Sequence, residues 1–159
     1  MSQKEQLQAE FDKILYNYNI EPKEKNRKLR EIEKALVQLL DVRVGQIFYD
    51  SWGYDQTQND FLQIIEVSPT RKTVTCQMIG ATRTDTYSVA PNPNYKYGPQ
   101  FRLHIKYFSH EPRLHGSYPF CSNHDYASDP PGYKGAWREG SFGPYEGKPV
   151  YETPVGMGH

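Results

Sequence analysis

The residues of this sequence best suited to recognition chemistry lie in one short segment, Ser51-Trp52-Gly53-Tyr54-Asp55-Gln56-Thr57, with Asp60 close behind. Trp and Tyr rings stack on nucleic-acid bases or anchor in pockets of a partner protein. Carboxylates accept hydrogen bonds from arginine, or protons in catalysis. The segment therefore predicts a partner-binding site, formed by Trp52, Tyr54, Asp55, Gln56, Thr57 and Asp60.

A structural interpretation of the same segment is equally open. Small β-barrels fill their ends with bulky side chains, and Trp52 could be such a plug. Asp55, Gln56 and Thr57 would then accept hydrogen bonds from the N–H groups of a turn. The sequence alone does not decide between a binding loop and a plug.

No pattern in the sequence predicts catalysis, a cofactor or a metal. There is no nucleophile elbow, phosphate loop or dinucleotide fingerprint, and no carboxylate pair has a spacing typical of acid–base catalysis. Zinc is a poor fit because the histidines and cysteine do not follow a zinc-finger spacing and include only one thiol; these residues are His104, His110, His115, Cys121 and His124. We therefore expect a protein that is not an enzyme and has no catalytic residues, cofactor or metal.

The elements that must position the segment begin with helices. Two apolar stripes with the helical period fall within residues 1–44, the first from Leu7 to Tyr18 and the second from Leu29 to Leu40. Pro22 suits the first turn of the second helix, where its missing N–H is not needed. Residues 1–44 thus predict a helical hairpin whose apolar face is covered by the rest of the chain or by a second copy in a homodimer.

After Gly45 the apolar period changes from the helical value to two. Short alternating runs predict strands over 46–50, 60–67, 73–79, 84–89 and 101–107. The expected fold class is α+β: the helical hairpin, then a small antiparallel β-sheet or SH3-like barrel with a loop-rich C-terminal wrap. We assign 1–44 to the hairpin and 45–159 to a β-rich domain, with the strands in 45–108 and a loop-rich extension over 109–159.

Charge favours no single class of partner. The chain has 19 basic and 19 acidic residues, so a global attraction for nucleic acid is absent. Residues 69–113, however, contain seven basic and two acidic residues interleaved with aromatics. This stretch supports an alternative hypothesis, a small nucleic-acid-binding barrel. Its predicted face comprises Arg71, Lys72, Arg83, Lys96, Arg102 and Lys106.

The segment around Trp52 resembles one found in small proteins of phages and mobile elements. The resemblance covers the core Ser51–Thr57, then Asp60-Phe61 and Lys72-Thr73-Val74, and a C-terminal tail with Gly147-Lys148-Pro149, Thr153, Gly158 and His159. This chain departs from the pattern at Gln58, at Leu62 and at Tyr145-Glu146, where Asn, Tyr and Trp-Asp are usual. The resemblance implies a phage or mobile-element origin and carries no catalytic residues.

These observations predict a non-enzymatic protein that binds a host protein, most simply as an inhibitor of host defence machinery such as a nuclease. Small phage proteins without catalytic motifs commonly act in this way, which is an argument from origin rather than from a site. Nucleic-acid binding is the second hypothesis, and a virion or assembly component is the third. We expect a cytoplasmic location in the host cell and no membrane partner, because the start has no apolar signal region and no run is long enough to span a bilayer.

Overall fold

The chain opens with the predicted helical hairpin. The structure, a computed structural model, describes residues 2–53 and 56–154. Helix α1 spans Gln3–Leu15 and helix α2 spans Pro22–Val37. The Ser2 hydroxyl accepts a hydrogen bond from the Glu5 N–H, which is a typical N-cap. Pro22 occupies the first turn of α2, as its fixed backbone angle favours.

The rest of the chain forms a closed six-stranded antiparallel barrel. The strands are β1 Ile47–Trp52, β2 Gln58–Val67, β3 Thr73–Asp85, β4 Ser88–Phe108, β5 Glu111–Pro119, β6 Trp137–Pro144 and the short β7 Val150–Tyr151, with a 3-10 helix over Tyr126–Ser128. Neighbouring strands follow the order β3-β2-β1-β6-β5-β4, and β4 pairs back with β3 to close the barrel. Strand β7 pairs with the start of β4. The predicted α+β fold with a barrel is confirmed.

The structure differs from the sequence prediction in two stretches. The sequence prediction located no particular strand in the loop-rich stretch 109–159, where β5 and β6 are full strands of the barrel wall. Their glycines obscured the alternation: a Cβ at Gly140 would lie 2.6 Å from the Tyr118 ring and 3.0 Å from Phe142, so glycine here makes room for interior aromatics. Residues 84–89 are the tip of the β3–β4 hairpin rather than a strand of their own.

Helix α2 closes one end of the barrel. Leu36 and Val37, with Leu40 after the helix, are buried in the same apolar cluster as the barrel interior. At this end Arg71, in the β2–β3 turn, donates hydrogen bonds from its guanidinium to the carbonyl oxygens of Leu40 (3.0 Å) and Val42 (3.3 Å). Those bonds satisfy backbone carbonyl groups of the segment that follows the helix. The end of the α2 stripe is thus covered by this chain's own barrel, and Leu7, Phe11 and Ile32 pack against the same cluster while partly exposed.

A smaller apolar cluster lies outside the barrel wall. Phe61, Ile79 and Val89 are buried there, against the partly buried Tyr49 and Tyr145. This cluster sits beneath the β3–β4 hairpin and next to β7, so it supports the end of the barrel opposite α2. No helix in the described part of the chain is long and apolar enough to cross a membrane.

Candidate functional site

Two segments far apart in the sequence meet at the barrel end opposite α2. The Thr57 N–H donates to the Thr153 hydroxyl (2.7 Å), and the Thr153 N–H donates to the Thr57 carbonyl (3.0 Å). The Asn59 side chain donates to the Tyr151 carbonyl (2.8 Å), while its backbone N–H donates to the Glu152 carboxylate (3.0 Å). Residues 150–153, named here the C-terminal clamp, therefore hold the start of β2.

The clamp also fixes the β3–β4 hairpin. Arg83 donates to the Glu152 carboxylate (3.3 Å) and to the Glu152 carbonyl (3.2 Å). The Glu152 N–H in turn donates to the Tyr87 carbonyl (2.9 Å). Since Glu152 contacts both Asn59 and Arg83, a single side chain links β2 to the hairpin.

Asp60 is the centre of a hydrogen-bonded network inside this barrel end. One of its carboxylate oxygens accepts from the Trp52 indole N–H (2.8 Å) and from the Tyr118 hydroxyl (2.6 Å). The Arg138 guanidinium lies 4.3 Å from the centre of the Trp52 ring, a cation–π contact. The strands place these groups together: Trp52 ends β1, Asp60 begins β2, and Tyr118 on β5 lies opposite Arg138 on β6.

The surroundings of Asp60 disfavour the charged form of its carboxyl. Burial raises the pKa of the Asp60 carboxyl, and the hydrogen bonds from Tyr118 and Trp52 and the charge of Arg138 only partly offset this. The charge of Asp50, the cross-strand partner of Asp60, raises the pKa of Asp60 further. Burial also raises the pKa of the Tyr118 hydroxyl, and so does the neighbouring Asp60. The network therefore favours the protonated forms of both Asp60 and Tyr118.

A cleft of about 420 Å³ opens beside Asp60. Its lining is aromatic and polar, and among the described residues no Lys or Arg lines it. The lining side chains used below are those of Asp60, Tyr95, Tyr97, Phe120 and Glu152. Burial raises the pKa of the Tyr97 hydroxyl, with the nearby Asp60 charge as the next cause. The Tyr95 and Tyr97 rings lie 6.5 Å apart, centre to centre. The site thus offers aromatic faces above a buried carboxyl.

The predicted partner-binding residues do not all lie at one place in the structure. Trp52 and Asp60 contact each other inside the barrel end, so Trp52 does fill a structural position there. Thr57 belongs to the clamp contact, and Gln56 is half-buried. Tyr54 and Asp55 lie outside the described residues. Sequence reasoning missed the cleft residues Tyr97 and Phe120, and it missed the network residues Tyr118 and Arg138. Nothing near Trp52 in the sequence signals any of them.

The predicted basic face is not a single face. Arg71 is engaged with backbone carbonyls near α2, and Arg83 with the clamp. Lys96 lies on the far part of the β3–β4 pairing, opposite Ile79. Lys72 and Lys106 lie together beside α2, and Arg102 lies further back along β4, opposite Thr75. Alternation along a strand predicted exposure correctly, but the length and curvature of β4 spread the charges over the molecule.

The histidines are also dispersed. His110 contacts Asp12 (2.8 Å) and His124 contacts Asp129 (2.7 Å), while His115 contacts the Ser141 hydroxyl (2.9 Å). Within residues 2–53 and 56–154, no group of three or more His, Cys, Asp or Glu side chains is placed to hold a metal ion.

Comparison with known proteins gives no match: no family model, no curated protein and no solved structure resembles the chain significantly. The function must therefore be inferred from the chemistry of the site. That chemistry consists of a carboxyl, tyrosine hydroxyls and aromatic faces around an open cleft. Such a set binds cations and hydrogen-bond donors.

Gly53 is required by the backbone next to the network. Its φ is +118°, and a Cβ there would collide with the carbonyl oxygen of Gln56. We expect Gly53→Ala to lower the free energy of unfolding by about 2 kcal/mol, from left-handed strain plus the collision. Gly45→Ala is the matched control, since Gly45 has φ +90° but nothing within 4 Å of the added methyl group. Urea denaturation of both variants measures the difference; equal losses would mean that the collision is relieved without cost.

Proposed function

We propose that this is a non-enzymatic binding protein that captures a basic side chain of a partner protein in the cleft beside Asp60. The observation that carries the proposal is the composition of the cleft, which Tyr95, Tyr97 and Phe120 line together with Asp60. The Glu152 carboxylate also lines the cleft but is already paired with Arg83. A guanidinium or ammonium group is attracted to aromatic faces and to carboxylates alike.

The position of Asp60 suits this role. Its carboxyl is held by Trp52 and Tyr118 through one oxygen, Oδ2. A cation entering the cleft would add an opposite charge, which favours the ionised carboxylate and lowers the pKa that burial has raised. Binding would therefore release a proton from Asp60 at a pH near its pKa. The clamp keeps the start of β2 in place, so little ordering is needed when a partner arrives.

We further propose that the partner is a host protein, and that the protein acts as an inhibitor of nucleic-acid-processing host defence machinery, of the anti-CRISPR or anti-restriction type. Two arguments support this. The resemblance of the Trp52 segment and the C-terminal tail to phage and mobile-element proteins points to a host target. Enzymes that bind nucleic acid present arginine and lysine in their grooves, which is the chemistry that the cleft accepts.

The direct test uses a capped tripeptide Gly-Arg-Gly as the probe and the same peptide with citrulline, a neutral analogue of arginine, as its control. We expect the arginine peptide to shift the backbone amide NMR signals of Tyr95, Tyr97 and Phe120, and the citrulline peptide to leave them in place. Tyr95→Ala removes one aromatic face, and we expect it to weaken binding about fivefold or more.

Tyr87→Ala is the matched control variant. Tyr87 is 52% exposed and Tyr95 is 53% exposed, and both lie on the β3–β4 hairpin, but only Tyr95 lines the cleft. Equal binding of the arginine and citrulline peptides, or equal loss in the two Tyr variants, would contradict the proposal. The same variants serve as baits in nuclease-treated host lysate, where a host protein retained by Tyr87→Ala and lost with Tyr95→Ala would identify the target.

A further inference from the structure

A second groove lies at the other end of the molecule, between α2 and the end of β4 where β3 no longer pairs. It has a volume of about 220 Å³, and its lining includes the side chains of Arg30, Lys34, Lys72, His104 and Lys106. The one acidic residue of the lining, Glu33, accepts a hydrogen bond from the Tyr107 backbone N–H (3.3 Å). None of the four Lys and Arg side chains forms an ion pair within the described part of the chain.

The positive charge continues along the outer face of β4 and β5. Arg102, His104 and Lys106 alternate with buried residues, so they project outward with a spacing of about 6.7 Å between successive side chains. Across the β4–β5 ladder, Lys106 lies opposite Arg113 and His104 lies opposite His115. Like charges directly opposite each other destabilise an antiparallel pair. The like-charged pair Lys106 and Arg113 is understandable when a ligand of opposite charge binds over it.

The field of this row also acts on His115. Its pKa is lowered, first by burial and then by the charges of Arg113 and Lys106, with Glu33 opposing. An exposed aromatic side chain continues the row: Phe108 follows Lys106 on the outer face and is 65% exposed. An alternating track of cations that ends in an exposed aromatic ring matches the two contacts that single-stranded nucleic acid makes, through phosphates and through stacked bases.

We propose that the groove between α2 and β4, together with the row from Arg102 to Lys106, binds the phosphate backbone of a single-stranded nucleic acid, with a base stacked on Phe108. This site is distinct from the Asp60 cleft, which lies at the opposite barrel end and is lined by no Lys or Arg of residues 2–53 and 56–154. Because the acidic, aromatic cleft and the cationic track lie at opposite ends of the barrel, a chain without net charge can present both.

The test is fluorescence anisotropy of a labelled oligothymidylate of about 15 nucleotides, near the upper site size of a small barrel. We expect binding whose affinity falls steeply between about 50 and 200 mM salt. The double variant Lys72→Ala/Lys106→Ala should weaken binding about tenfold or more at the lower salt concentration, and should reduce the slope of log affinity against log salt by about 1.4, since each phosphate contact contributes about 0.7 on a single strand.

The double variant Lys96→Ala/Lys148→Ala is the control. It removes the same charge from exposed lysines outside the groove, so we expect the slope to stay close to that of the unmodified protein.

Phe108→Ala should weaken binding about fivefold without changing the slope, because stacking releases no counterions. Circular dichroism checks that each variant is folded. Absence of binding, a salt-independent affinity, or equal losses in the two lysine pairs would overturn the proposal, and an unaffected Phe108→Ala would overturn its stacking part.

Discussion

Replacement of Asp60 by alanine is expected to lower the free energy of unfolding by about 3 kcal/mol, while asparagine at the same position should keep it within about 1 kcal/mol of the unmodified protein at pH 7. The reason lies in the two donors that share the Asp60 Oδ2 atom. Alanine would leave the Trp52 indole N–H and the Tyr118 hydroxyl without an acceptor. A buried donor that loses its partner costs its full desolvation penalty, about 1–3 kcal/mol for each group.

Asparagine retains an acceptor oxygen in nearly the same place. It also removes a carboxyl that burial disfavours in its charged form, as the raised pKa of Asp60 shows. The loss of the negative charge near Arg138 acts in the opposite direction. Because these two effects offset each other, the expected change is small.

The pH dependence provides a second readout of the same substitution. Since the native pKa of Asp60 lies above its ordinary value of 3.8, the native state holds more protons than the unfolded state between those two values. Stability from this group is therefore present at low pH and is lost as pH rises through the native pKa. Asp50, whose pKa burial also raises, contributes with the same sign and remains in the variant.

Urea denaturation of the unmodified protein and of Asp60→Asn, measured from about pH 4 upward, isolates the Asp60 contribution as the difference between the two curves. We expect that difference to shift in favour of the asparagine variant as pH rises. A difference that does not vary with pH would contradict a raised native pKa for Asp60. An asparagine variant as unstable as the alanine one would show that the charged carboxylate is needed.

The sequence predicts the helices and most of the barrel because both are local patterns. The apolar stripe around Leu36 has the helical period, and the alternation from Phe101 to Tyr107 has the strand period. Strand β6 was missed for a physical reason. Gly140 and Gly143 normally weaken a strand, but here a side chain at Gly140 would displace Tyr118. Only the packing across the barrel reveals that these glycines belong to a strand.

The site was predictable only in part. Trp52 and Asp60 were selected from their types and spacing, and they do meet, because β1 and β2 are neighbouring strands joined by a short connection. Contacts such as Tyr118 to Asp60 and Asn59 to the clamp join residues more than fifty positions apart, so they depend on the closure of the barrel. A pattern of one segment contains no information about such partners. The same holds for the groove, where Lys72 and Arg30 meet only because α2 closes the barrel end.

The role of α2 leads to the second large expected effect. Leu36→Ala should lower the free energy of unfolding by about 3 kcal/mol, since truncation of a fully buried leucine loses its transfer free energy and leaves a cavity. Leu36 is 0% exposed within the barrel's main apolar cluster. Leu39→Ala is the matched control, because Leu39 is 37% exposed three residues further on and should cost less than about 1 kcal/mol. Urea denaturation followed by fluorescence of the two tryptophans measures both variants. Equal losses would mean that α2 does not close the barrel end in solution.

Since α2 also forms one wall of the basic groove, Leu36→Ala should weaken oligothymidylate binding more than Leu39→Ala under native conditions. That result would link the packing of the helix to the binding of phosphate.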